Sequence, residues 1–129
     1  MTELSPVATF VMPSSPEIKK TTTVGCCSPM TELKIIALDG SGRVLKQGER
    51  GEVCMRGYGV MRKYWNDPEK TEETLVNGWI HSGDIGVVDE DGYIQIVGRS
   101  KDLIIRGGEN ISPFEIESFY TGKKWVRDI

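Results

Sequence analysis

The sequence predicts a mainly β protein with two short helices, an α+β architecture. Three observations carry this. Aliphatic and β-branched runs are short and alternate with glycine turns. Glycine is abundant, at 15 of 129 residues, where about 7% is ordinary, and all but one of these glycines fall between Gly25 and Gly108. Finally, only two places carry helix-starting chemistry.

Residues 1–24 lack glycine and contain Pro6, Pro13, Pro16 and the polar run Thr21-Thr22-Thr23, which reads as loop with one short strand. ELKIIAL (32–38) is a strand closed by the turn Asp39-Gly40-Ser41-Gly42, with RVL returning. In GEVCMRG (51–57) the alternation puts Val53 and Met55 on one face and Glu52, Cys54 and Arg56 on the other. Asp67 caps a helix with Pro68 at its first position, and this helix is expected to run to about Val76 and stop at Asn77-Gly78. WIHSGD, DIGVVDE and YIQIVG follow, the last two as a hairpin about Asp91-Gly92 with Val87, Ile94 and Ile96 buried. LIIRGG (103–108) is a further strand. Ser112-Pro113-Phe114-Glu115 has capping-box spacing, with Ile116 and Phe119 on the apolar face of its helix.

Length allows one domain at most. Sixteen Lys and Arg against 19 Asp and Glu give a net charge of −3 without a basic cluster, which argues against a nucleic-acid or anionic-membrane surface. No apolar run approaches the roughly 20 residues that span a bilayer, and the first residues show no cleavable signal. Cys26, Cys27 and Cys54 have neither metal-type spacing nor a plausible disulfide framework. They read as reduced thiols of an intracellular protein, with cytoplasm, mitochondrion and peroxisome all open.

Four local signals could carry chemistry: Met1-Thr2-Glu3, His81-Ser82-Gly83-Asp84, Gly98-Arg99-Ser100-Lys101-Asp102 and Gly107-Gly108-Glu109-Asn110. Singly, each has an ordinary explanation. Thr-Glu is a common dipeptide, Asp84 suits a turn, a charged cluster suits a solvated connection, and paired glycines suit a turn. His81, the single histidine, reads as a strand residue before a general base.

In this order the motifs MTE, RGYGVMRKYWNDPEKTEE, GWIHSGDIGVVDEDGYIQIVGR and SKDLIIRGGENISPFEIE resemble the acyl-adenylate-forming, AMP-binding enzyme superfamily over residues 1 to about 120. Gly107-Gly108-Glu109-Asn110-Ile111, Pro113-Phe114-Glu115 and RGYGVMRKYW resemble its acyl-CoA synthetase, fatty-acid-CoA ligase branch. The resemblance implies residues 1–97 as the distorted β-barrel subdomain ending the large AMP-binding domain, 98–102 as a hinge, and 103–129 as a fragment of the C-terminal domain.

The implied reaction has two steps. A medium- or long-chain carboxylate attacks the α-phosphorus of ATP to give an acyl-adenylate and pyrophosphate, and the thiol of coenzyme A then displaces AMP. ATP, Mg²⁺ and coenzyme A are implied as substrates, and the remaining N- and C-terminal parts of the same enzyme as partners. By the resemblance, Thr2 hydrogen-bonds the nucleotide phosphate and Glu3 helps ligate Mg²⁺, a cation that takes oxygen ligands. Asp84 accepts from the ribose hydroxyls, Arg99 donates to the same ribose, and Ile96 adds an apolar contact. Lys101 matches the hinge. Gly107, Gly108 and Glu109 meet the pantetheine arm of coenzyme A.

The family's phosphate-binding Ser/Thr/Gly-rich loop and its catalytic lysine do not occur in this sequence. The ending Thr121-Gly122-Lys123-Lys124-Trp125 departs from the family pattern. A chain without those groups is expected to be inactive alone, since losing one electrostatic donor costs about a hundred- to a thousand-fold in rate. Alternatives stay open: a ligase for aromatic carboxylates resembling coumarate-CoA ligase, a luciferase-like relative, or a truncated, non-catalytic product that binds nucleotide or a partner.

Overall fold

The computed structural model describes residues 1–126 apart from 108, 112 and 122, with backbone alone at 110 and 114. In chain order the elements are β1 (Thr9–Phe10), α1 (Glu17–Thr22), β2 (Cys26–Cys27), β3 (Thr31–Ile36), β4 (Gly51–Gly57), α2 (Pro68–Thr74), β5 (Leu75–Val76), β6 (Trp79–Val88), β7 (Ile94–Arg99), β8 (Ile104–Arg106), β9 (Glu109–Ile111) and α3 (Pro113–Thr121). Short 3-10 turns lie at Thr2–Leu4 and Ser100–Asp102.

The main sheet is antiparallel, in the order β3-β4-β6-β5, and β7 also pairs with β6. Alternation along the strands builds one apolar face. Ile35 lies opposite Val53, and Met55 lies opposite both Leu33 and Ile80. Leu4, Ile35, Val53, Met55, Ile80 and Ile94 form the buried cluster on that face. Each fully buried aliphatic side chain contributes roughly 1.5–3 kcal/mol. β1 and β2 make a separate ribbon, tied to the start of β7 by the backbone bonds Val24 N–H to Ile94 O (2.8 Å) and Ile94 N–H to Gly25 O (2.9 Å). Gly25, at φ +89°, is required here: a Cβ would stand 2.0 Å from the Phe10 carbonyl oxygen.

The mainly β class holds, with two refinements of the architecture. Among the described residues the sheets are open, so the barrel expected from the resemblance is corrected. β3 has β4 as its strand partner, plus a single bridge from Ile36 to Val44, and no ladder joins it back to β7. A third α-helix, α1, occupies the segment read as loop. It starts after Pro16 without a side-chain cap, and its threonines turn inward on the helix, with the Thr22 hydroxyl donating to Ile18 O (2.7 Å) and that of Thr23 to Lys19 O (2.6 Å). These local bonds compensate for low helix propensity.

Helix α2 begins as expected, the Asp67 carboxylate accepting from Lys70 N–H (3.0 Å). It ends at Thr74 rather than Val76, because Asn77-Gly78 takes positive φ at both positions and turns a hairpin between β5 and β6. In the β6–β7 hairpin a register shift between Ile85 and Gly86 changes which side chains face inward. Ile85, Ile94 and Val97 are buried, while Val87 and Ile96 are only half-buried.

The second face of the sheet is not simply solvated. Lys34, Cys54 and His81 form a cross-strand row there, with Cys54 wholly buried. The Lys34 ammonium and Arg56 guanidinium lie 4.4 and 4.6 Å from the centre of the Trp79 ring. After the Ser100–Asp102 turn, β8 and β9 form a lone two-stranded ribbon followed by α3. The Ser112 cap expected for that helix lies outside the described residues. No helix among the described residues is long and apolar enough to cross a membrane.

Candidate functional site

The β6–β7 ladder puts Asp84 directly opposite Arg99, and Arg99 Nε–H donates to Asp84 Oδ1 at 3.0 Å. Fifteen residues of separation in sequence thus become one contact, because the hairpin closes at Asp91-Gly92. Asp84 sits at the end of a turn that is itself fixed: its N–H donates to Ser82 Oγ (3.0 Å), and the Gly83 N–H donates to Glu52 Oε1 (3.1 Å).

Two adjoining cavities flank this pair. One, about 340 Å³, is largely apolar and is lined by Val53, Met55, Ile96 and Asp84 among others. The other, about 460 Å³, is polar and is lined by Glu3, Glu52, Tyr64, Lys70, His81, Arg99 and Lys101 among others. Met1 and Ser82 line both. Asp84 and Ile96 therefore face one cavity while Glu3, Arg99 and Lys101 face the other, and the Asp84–Arg99 bond spans them.

Glu3 reaches the polar cavity from the first 3-10 turn, where Tyr64 Oη–H donates to Glu3 Oε1 at 3.0 Å. A backbone hydrogen bond and the Tyr64 hydroxyl hold the Glu3 carboxyl below its ordinary range, so it is ionised at neutral pH. Burial and the facing Glu3 carboxylate push the Tyr64 hydroxyl the other way, keeping it a donor. Thr2 lies exposed on the same turn and lines neither of the two cavities. Gly107 occupies the turn between β8 and β9 at φ +61°, and Glu109 is exposed on β9 opposite Arg106. Gly108 lies outside the described residues.

Sequence reasoning missed Glu52. Its carboxylate is half-buried and holds both the Gly83 N–H and His81 Nδ1, the latter at 2.9 Å. The only available signal was the alternation that placed Glu52 on the non-core face of β4; its pairing across 29 residues has no local signature. Tyr64 was likewise unassigned, since nothing in RKYW indicates a contact with Glu3.

The mostly β architecture with open sheets matches solved structures of adenylate-forming enzymes. The structure of MatB from Rhodopseudomonas palustris, solved with ATP bound, superposes with a TM-score of 0.87 at 34% identity, over 95% of this chain and 24% of that one. O-succinylbenzoate coenzyme A synthetase (MenE) from Bacillus subtilis in complex with AMP gives 0.85 at 34% identity, over 99% and 26%. The chain belongs to the AMP-binding enzyme family, whose pattern it matches over residues 1–65.

Its relatives are acyl-CoA ligases. The mitochondrial medium-chain acyl-CoA ligase ACSF2 is 47% identical in Rattus norvegicus, over 92% of this chain and 19% of that protein. The Homo sapiens ACSF2 is 43% identical over 99% and 21%. The acyl-CoA ligase sidI of Aspergillus fumigatus is 44% identical over 91% and 20%. The chain spans about a fifth of the length of the curated relatives it matches.

Proposed function

We propose that this chain carries the ribose-binding hairpin and hinge segment of an ATP-dependent acyl-CoA ligase acting on a medium- or long-chain fatty acid. The observation that carries the reading is the Asp84–Arg99 pair on adjoining strands, bridging an apolar and a polar cavity. One Asp84 oxygen is held by Arg99, and the other remains to accept from a ribose hydroxyl. The rest of the Arg99 fork remains to donate to the same diol. Ile96 gives the nucleotide an apolar contact beside Asp84.

Magnesium arrives with ATP and neutralises phosphate charge when bound. Glu3 suits it, being an ionised carboxylate that lines the polar cavity. Thr2, next to Glu3, donates to a phosphate oxygen. Lys101, on the turn joining β7 to β8, is the hinge position, and Gly107, Gly108 and Glu109 form the loop that meets the pantetheine arm of coenzyme A. The medium-chain ligases among the relatives support the substrate class.

Calorimetric titration of the 129-residue chain with AMP tests this. Asp84→Ala is expected to weaken binding roughly tenfold or more, as the loss of a hydrogen bond to a charged group does. AMP that does not bind, or that binds Asp84→Ala and Arg99→Ala as tightly as the parent chain, overturns the reading.

A further inference from the structure

Glu52, Cys54 and His81 bring a carboxylate oxygen, a thiol sulfur and an imidazole nitrogen within 4.8 Å of one another. Cys54 and His81 are direct partners across the β4–β6 ladder, and the irregularity between Glu52 and Cys54 brings the carboxylate to the same point. Two rigid neighbouring strands hold all three, so little ordering is left for a ligand to impose.

We propose that this triad is a binding site for a thiophilic divalent cation of the zinc or cadmium type. Sulfur, nitrogen and carboxylate oxygen are the donor set such ions take, with three protein ligands leaving a fourth position for water. Glu52 and His81 line the polar cavity of about 460 Å³, which supplies both the entry path and that water. Binding replaces the His81–Glu52 hydrogen bond with two coordinate bonds, while Glu52 Oε1 keeps the Gly83 N–H. Cys54 is buried behind Glu52 and His81, so its thiol proton leaves by way of the Glu52 carboxylate, which lines the cavity, as the sulfur binds. Lys34, the charged neighbour across β3, has its ammonium over the Trp79 ring.

Titration of the reduced, metal-free chain with Cd²⁺ decides the matter. A thiolate-to-cadmium charge-transfer band is expected, saturating at one ion per chain. It should survive the double substitution Cys26→Ser with Cys27→Ser and disappear in Cys54→Ser. His81→Gln is expected to lower affinity by at least the roughly 10- to 100-fold that loss of a ligand's supporting partner costs. His81 is the single histidine, so its imidazole ¹⁵N signals report ligation in the unsubstituted chain even if Cys54→Ser does not fold. A band that follows Cys26 or Cys27, no band, or an imidazole unmoved by Cd²⁺ overturns the proposal.

Discussion

Ile80 and Ile105 both sit in antiparallel strands beside aliphatic neighbours, yet Ile80 is 0% exposed and Ile105 is 74% exposed. The difference lies in what each strand can pack against. β6 pairs with β4, β5 and β7, and its apolar face meets the Leu4 turn and the inward side chains of β3. β8 pairs with β9 alone. α3, which follows, leaves Phe119 exposed, and Trp125 just beyond it is exposed as well. Apolar content is similar in the two regions; a shared core is not. A two-stranded ribbon is marginal by itself, and burial requires a second layer as well as a hydrophobic strand.

Identical substitutions should expose this contrast most sharply. Ile80→Ala is expected to cost about 2–5 kcal/mol, the usual result of deleting buried methyl groups from a packed site. Ile105→Ala should stay within about 0.5 kcal/mol, as exposed substitutions do. Urea midpoints of the two variants are the measurement. Equal losses would mean that Ile105 is buried in solution and that the ribbon shares the core.

How much of this was legible in the sequence divides along similar lines. Strands β3, β4, β6 and β7 followed from alternation and turn residues, because those signals are local. Asn77-Gly78 misled as a helix stop; the dipeptide also favours a two-residue hairpin, and the neighbouring Leu75-Val76 settled the choice by pairing with Trp79-Ile80. The hairpin's inward face slipped at Ile85/Gly86 because a bulge leaves no signature in composition. Asp84, Arg99 and Ile96 stood out through family motifs and the fold gathers them beside one pair of cavities. Glu52 did not stand out, since its partners arrive from a strand 29 residues away.

A smaller effect tests how the first turn is fastened to the sheet region. Tyr64→Phe removes the hydroxyl that donates to Glu3 and should cost about 1 kcal/mol at neutral pH. Glu3 has a folded-state pKa below its unfolded value, so its contribution is complete above the ordinary glutamate range and is lost as pH falls through the lowered value. The gap in midpoint between the parent chain and Tyr64→Phe should therefore close in acid. A gap that persists well below the glutamate range would assign the cost to packing of the ring.

The smallest effect is expected where the two regions touch. Arg50, just before β4, pairs with Glu115 on α3, and both side chains are more than half exposed, at 60% and 52%. An ion pair in that setting gains little, because water screens the charges and two long side chains must be held still. A double-mutant cycle with Arg50→Ala and Glu115→Ala should give a coupling energy below about 0.5 kcal/mol, and it should vanish in high salt. The measurement has weight beyond its size. A coupling above about 1 kcal/mol that resists salt would mean that α3 docks on the sheet through a desolvated contact. The two regions would then unfold together, and Ile105 would lose its standing as the exposed counterpart of Ile80.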